Sequence, residues 1–251
     1  MVSDPIFDVA GVHFGYEGKV PALVDVSLRV QAGECVAILG ANGSGKSTLL
    51  KLLDGLYFAD QGTVRAFGQV LSERAFRSEA FSFAFRRRVG LVFQDPDVQL
   101  FSPSVLDEVA FAPLQLGLSA AEVERRVASA MQALRIAALA ERPPHRLSGG
   151  EKKRVALASV LSLQPEVWLL DEPTSGLDPR SQGWLVEFIQ EQHRAGKTMV
   201  IATHDIAIVQ RIATRVCVFG EDHRLAAEGA PAQVLQDHDL LHACNLIHSH
   251  P

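Results

Sequence analysis

Eight residues constrain this chain more than any others. Gly40-Ala41-Asn42-Gly43-Ser44-Gly45-Lys46-Ser47 satisfies every fixed position of G-x-x-x-x-G-K-[ST]. The apolar run Val36-Ala37-Ile38-Leu39 leads into it and a helical stretch over residues 46–54 follows. Strand, glycine-rich turn and helix in that order are the context this motif requires. Glycines let the backbone wrap closely around phosphate, and successive N–H groups at the helix N-terminus supply donors and positive dipole. Lys46 then reaches the β- and γ-phosphates, and the Ser47 hydroxyl ligates Mg²⁺. A chance match in a chain of this length has odds of about one in a hundred from average residue usage.

Such a motif needs an α/β core, and the rest of the chain supplies one. Apolar segments bounded by turn residues predict strands over 7–14, 24–30, 36–39, 89–93, 167–170, 198–203 and 215–219. The last four are short continuous apolar runs, the pattern of parallel strands buried on both faces. Helical stretches over 46–54, 120–138, 151–163, 179–193 and 206–212 alternate with them. That alternation implies βαβ crossovers around a parallel sheet. The first 35 residues read instead as short alternating strands, predicting an antiparallel edge. Residues 95–144 carry no buried-strand run and read as a helical block inserted into the core. The organisation expected is one domain over 1–229, with the inserted helical part at about 95–162 and a short histidine-containing helical tail over 230–251.

Composition removes several function classes. The 251 residues are 47% hydrophobic and 21% charged, which excludes bulk disorder. The longest charge-free run, 109–121, is 13 residues and contains Pro113, whereas a membrane-spanning helix needs roughly 20 apolar residues. Three scattered cysteines, Cys35, Cys217 and Cys244, make neither a disulfide scaffold nor a zinc knuckle. The MVSDPIFDVA start has no basic segment followed by an apolar one, so no secretory signal is read there. A formal charge of −5 argues against extended nucleic-acid binding.

Val167-Trp168-Leu169-Leu170-Asp171-Glu172 is an apolar strand ending in two carboxylates. Parallel sheets gather ligands at the C-terminal ends of their strands, so Asp171 is a candidate Mg²⁺ holder and Glu172 a candidate base for an attacking water. Alone, the pair reads equally well as solvated acids. Leu147-Ser148-Gly149-Gly150-Glu151 precedes the helix over 151–163. Ser148 and Glu151 make an S-x-x-E capping box, which by itself only starts a helix. Two glycines inside the cap also leave the helix N-terminus open to close phosphate approach. Gln94 and His204 follow predicted strands, and Tyr16 shares strand parity with Val12 and Phe14, which reads as a core aromatic.

Taken together these segments resemble the nucleotide-binding subunit of ATP-binding-cassette (ABC) transporters, with every motif in family order from Tyr16 to about Gly229. The resemblance implies a P-loop NTPase (RecA-like) core with an N-terminal antiparallel β subdomain and an α-helical subdomain carrying the signature. It implies that Tyr16 stacks on adenine, that Gly40, Ala41, Asn42, Gly43, Ser44, Gly45, Lys46, Ser47 and Thr48 hold the phosphates, and that Gln94 touches Mg²⁺ with Ser47 and Asp171. Ser148, Gly149 and Gly150 match the signature LSGGQ, with Glu151 where glutamine is commoner. Glu172 matches the catalytic glutamate, Asp178 the D-loop aspartate, and His204 the switch histidine at the γ-phosphate. Two such subunits sandwich two ATP molecules, so the signature acts in trans. A homodimer is the first expectation and a paralogue the alternative.

Residues 92–101 (VFQDPDVQLF), 107–117 (DEVAFAPLQLG) and 152–156 (KKRVA) resemble energy-coupling-factor importers of vitamins and metals. The ending Asn245-Leu246-Ile247-His248-Ser249-His250 is similar to the tails of cobalt and nickel importer subunits. The resemblance implies a peripheral ATPase on the cytoplasmic face of the cell membrane. It would work with a transmembrane coupling subunit and a substrate-binding membrane subunit. A vitamin importer is the nearer alternative. A non-transport ABC ATPase acting on ribosomes or DNA is the more distant one, because the roughly 100 residues between Ser47 and Ser148 show no sustained heptads.

Overall fold

Buried parallel strands place the glycine-rich loop and the two acidic residues at one end of one sheet. The computed structural model describes residues 4–247. In chain order the strands and helices are β1 (Phe7–Tyr16), β2 (Val20–Val30), β3 (Cys35–Gly40), α1 (Lys46–Leu53), β4 (Gln61–Ala66), β5 (Gln69–Val70), α2 (Glu73–Phe76), α3 (Glu79–Arg86) and β6 (Val89–Val92). There follow α4 (Val105–Gln115), α5 (Ala120–Ala133), α6 (Gly149–Leu161), β7 (Val167–Asp171), α7 (Pro179–Arg194) and β8 (Thr198–Thr203). The chain then forms α8 (Ile206–Ile212), β9 (Arg215–Phe219), β10 (Leu225–Gly229), α9 (Pro231–Val234) and α10 (His238–Ala243).

The main sheet has the order β10-β9-β3-β8-β7-β6, parallel except for β10, which pairs antiparallel to β9 at the edge. Every residue of β3, β7 and β8 is buried, which is why these strands read as continuous apolar runs rather than alternating ones. The second sheet, β2-β1-β4-β5, is antiparallel throughout. The N-terminal strands therefore build a sheet of their own with β4 and β5, not an edge of the main one.

Sequence pattern missed β4, β5 and β10 because little of them is buried. In β4 only Val64 and Ala66 face inward, and β10 alternates half-buried with exposed residues. The core between the sheets packs Phe7, Val9 and Val12 against Ile38, Leu49, Leu52 and Leu169, so α1 is held from both sides. A second core joins α4, α5 and α6, through Val109, Val127, Met131 and Val155, to Val92, Trp168 and Leu170 of the main sheet. In the tail, α10 begins at His238 and includes His242, whereas His248 and His250 lie outside the described residues.

Candidate functional site

Strand β3 stays buried to Gly40, after which the chain turns through Gly43 (φ 86°) and Gly45 (φ 108°) before α1 begins at Lys46. Gly45 is required twice over. Its φ lies in the left-handed region, and a Cβ there would run into the carbonyl oxygen of Ala22. No side chain caps α1, so its first N–H groups remain available to an anion. The buried Ser44 hydroxyl in the same loop has no partner among the described residues. An orphaned hydroxyl beside uncapped amides fits a phosphate ligand.

Lys46 is buried, and its Nζ donates to the carbonyls of Gly40 at 2.8 Å and Ala41 at 3.0 Å. The same ammonium lies 3.3 Å from Glu172 Oε1. The other Glu172 oxygen, Oε2, is 3.0 Å from Nδ1 of the exposed His204, which follows β8. Glu172 sits just past β7 with φ 41°, fixed by its N–H to the Ala202 carbonyl at 2.9 Å. A non-glycine residue in that region is held there by its surroundings, a feature that concentrates at functional sites. Ser47 Oγ donates to Asp171 Oδ1 at 2.8 Å. Burial raises the Asp171 carboxyl above its ordinary range. The Ser47 hydrogen bond opposes that rise and the nearby Glu172 charge adds to it. A carboxylate and a hydroxyl oxygen in contact are the hard donors that Mg²⁺ takes.

These groups open onto a cleft of about 430 Å³ lined by Tyr16, Asn42, Gly43, Gly45, Lys46, Ser47, Thr48, Gln94 and Glu172. Tyr16 is 38% exposed rather than a core aromatic, and its hydroxyl is 2.9 Å from Thr48 Oγ1. Register shifts along β1 between Val9 and Val12, and again around Phe14, break the strict alternation from which a core position followed. His223 also lines the cleft, from the turn between β9 and β10, with φ 64° and its carbonyl accepting the Val24 N–H at 3.0 Å. A single histidine in a polar turn has no spacing that marks it in a sequence. A larger open concavity, about 510 Å³, lies between the sheets near Glu34, Arg215 and Glu228, but its charges are already paired with one another.

The signature residues are not brought into that cleft. Ser148 caps α6, whose first residues are Gly149 and Gly150. Of the three, Gly149 lines a separate groove of about 360 Å³ with Gln94, Lys153, Ser175 and Gly176, and Ser148 and Gly149 are exposed. The capping box forms: Glu151 accepts from the Ser148 N–H and hydroxyl, both at 2.8 Å, and these bonds hold its carboxyl below the ordinary range. Asp178 caps α7, accepting from the N–H groups of Arg180 and Ser181 at 3.0 Å.

The family profile described as ABC transporter matches residues 23–175. The nickel import ATP-binding protein NikO of Rhodobacter capsulatus is 52% identical over 246 residues, covering 97% of this chain and 96% of that protein. The energy-coupling factor transporter ATP-binding protein EcfA of Methanothermobacter thermautotrophicus is 41% identical over 241 residues, 96% of this chain and 76% of that protein. Among solved structures, cbiO1 from Clostridium perfringens, described as part of the ABC transporter complex cbiONQ, matches with a TM-score of 0.81 at 36% identity. The match covers 97% of this chain and 96% of that one.

Proposed function

The chain belongs to the ABC transporter family and is an ATP-binding subunit with ATPase activity of the energy-coupling-factor and CbiO importer type; from that premise we propose that it powers uptake of nickel or cobalt ions. One observation carries the catalytic reading. The buried Glu172 carboxylate is held between Lys46 and His204, next to an Asp171 that already engages Ser47.

Lys46 neutralises Glu172, and on ATP binding it exchanges that carboxylate for the β- and γ-phosphates. Glu172 is thereby freed to accept a proton from water aligned with the γ-phosphorus. His204, 3.0 Å from the same carboxylate, orients it, and its assigned role is at the γ-phosphate. Tyr16 presents an exposed ring at the cleft rim for the base, and Thr48 fixes its hydroxyl. Ser47, Asp171 and Gln94 would hold Mg²⁺, which would supply charge neutralisation to the phosphates. The exposed signature completes the cleft of a second copy, since no contact within its own chain brings it to Lys46 among the described residues.

Among the described residues no helix is long and apolar enough to cross a membrane, so translocation requires a separate membrane subunit. Its docking surface is the apolar patch of Val98, Phe101, Phe111 and Leu114, where Val98 is 69% and Phe101 68% exposed. Phe101 packs edge-on to Phe111 at 4.9 Å, and Glu108 accepts the N–H groups of Phe101 and Ser102. A loop this well fixed yet this apolar outward is built to be covered. The chain is then peripheral, bound through its membrane partner.

The test is purification of the tagged chain from detergent-solubilised native membranes with mass spectrometry of what accompanies it, paired with uptake of labelled Ni²⁺ and Co²⁺. A transmembrane subunit and a substrate-binding membrane protein should co-purify, and ion uptake should vanish in Glu172→Gln cells. Unaltered metal uptake with lost vitamin uptake moves the cargo to a vitamin. Recovery of ribosomal proteins without a membrane partner overturns transport.

A further inference from the structure

Segment 93–102 runs from the end of β6 through the Gln94 loop to the apolar patch, and α6 ties it down at three places. The ammonium of Lys153, buried at 2% exposure, donates to the backbone carbonyls of Phe93 at 3.2 Å and Gln94 at 2.7 Å. Lys152 Nζ is 2.6 Å from Asp97 Oδ1. Gln99 Oε1 accepts the Phe93 N–H at 3.2 Å, while its Nε2 donates to the Ala156 carbonyl at 3.0 Å and to Ser159 Oγ at 3.2 Å. A buried lysine satisfied by backbone carbonyls fixes those carbonyls as firmly as they fix it, because desolvating an ammonium is expensive without such partners. Gln94 is therefore fastened to the helix whose first residues are Gly149 and Gly150.

We propose that Lys153 is a positioning residue that makes the Gln94 loop and the signature end of α6 move as one body, so that each helix α6 couples the two nucleotide sites of the dimer. Gln94 lines its own chain's cleft, which none of Ser148, Gly149 and Gly150 lines, and it also lines the neighbouring groove that holds Gly149 and Lys153. Closure of the signature over a partner's nucleotide then carries Gln94 into its own. Coupling through a rigid element with two positions is the physical requirement for cooperativity between sites. This inference rests on the two-copy reading above.

The experiment measures ATP hydrolysis by the full chain against ATP concentration for wild type, Lys153→Met, Gln94→Ala, the double variant and Gln99→Ala, with thermal melting of each. Lys153→Met should lower kcat about tenfold and bring the Hill coefficient toward 1, with ATP affinity in the presence of Mg²⁺ changed less than threefold. The double variant should be no slower than Gln94→Ala alone, since Lys153 acts through Gln94. Lys153→Arg, which keeps charge and donors, should recover at least half of kcat. If Lys153→Met melts early, Gln99→Ala carries the test: a smaller loss of kcat with a lowered Hill coefficient supports the staple. Wild-type cooperativity in both variants, or losses that multiply with Gln94→Ala, overturns it. Ser148→Arg run alongside separates the premise: hydrolysis that survives it faults the in-trans signature rather than the role of Lys153.

Discussion

Lys46 and Glu172 form a buried ion pair at 3.3 Å across the mouth of the phosphate loop, while Lys46 also holds the carbonyls of Gly40 and Ala41. The proposed base and the proposed phosphate-binding lysine thus restrain one another. Glu172→Gln would remove the proposed proton acceptor and one competitor for Lys46 at once. Hydrolysis should fall by about 100- to 10,000-fold, the usual worth of a positioned base. ATP affinity should hold or rise. Turnover assays with equilibrium binding of ATP separate the two effects, and a variant that both binds weakly and hydrolyses normally removes Glu172 from its assigned role.

Gly45 admits no side chain. Its φ of 108° and the Ala22 carbonyl facing its missing Cβ make alanine costly on two counts. Gly45→Ala should lose about 2 kcal/mol or more, from left-handed strain plus displaced backbone. That corresponds to a fall of roughly 4–8 °C in Tm for a chain of this size. ATP binding should be lost too, because the loop and α1 shift together. A melting curve that overlays wild type would show the loop to be slack.

How far the sequence foretold this arrangement depended on burial. Strands 198–203 and 215–219 were legible to the residue because every position of β8, and all but the first of β9, is buried. The phosphate loop was legible because glycine, lysine and serine there answer to chemistry, not to packing. Tyr16 was read from strand parity as a core residue, and only the family resemblance placed it at a nucleotide. Bulges in β1 near Gly11 (φ 55°) shift parity, and no sequence period records a bulge. Helices α2 and α3 went unseen: α2 buries nothing and α3 buries only Phe85. The Lys153 contact with the Gln94 loop joins residues about 60 positions apart and could not be inferred from local pattern.

The contact of Ser47 with Asp171 at 2.8 Å, spanning 124 residues, makes metal dependence the next expectation. Ser47→Ala removes the hydroxyl proposed to ligate Mg²⁺ and leaves the Asp171 carboxyl, already raised by burial, without its hydrogen bond. The Mg²⁺ concentration for half-maximal hydrolysis should rise at least about tenfold, since one lost charge-assisted contact is worth about 1.5–3 kcal/mol. Chelation of divalent ions should silence wild type fully. Equal Mg²⁺ titrations for the two proteins would place the ion elsewhere.

Asp54, which ends α1, offers a pH test away from the chemistry. Its Oδ2 lies 2.6 Å from Arg86 Nη1, and that guanidinium also donates to the Asp54 carbonyl at 2.9 Å. Burial pushes the Asp54 carboxyl up to about 6, outweighing the attraction of Arg86. Between about pH 4 and 6 the folded chain therefore keeps a proton that the unfolded chain has released. The unfolded state binds fewer protons across this window, so the Asp54 contribution to stability falls as pH rises and levels off above about pH 6. The side-chain amide introduced by Asp54→Asn cannot titrate, and the difference in Tm between wild type and this variant isolates the group from other carboxylates. The Tm of wild type minus that of the variant should fall from about pH 4 to 6 and then stay constant. If it rises over that window instead, Arg86 holds the carboxylate ionised throughout, and attraction rather than desolvation governs the end of this helix.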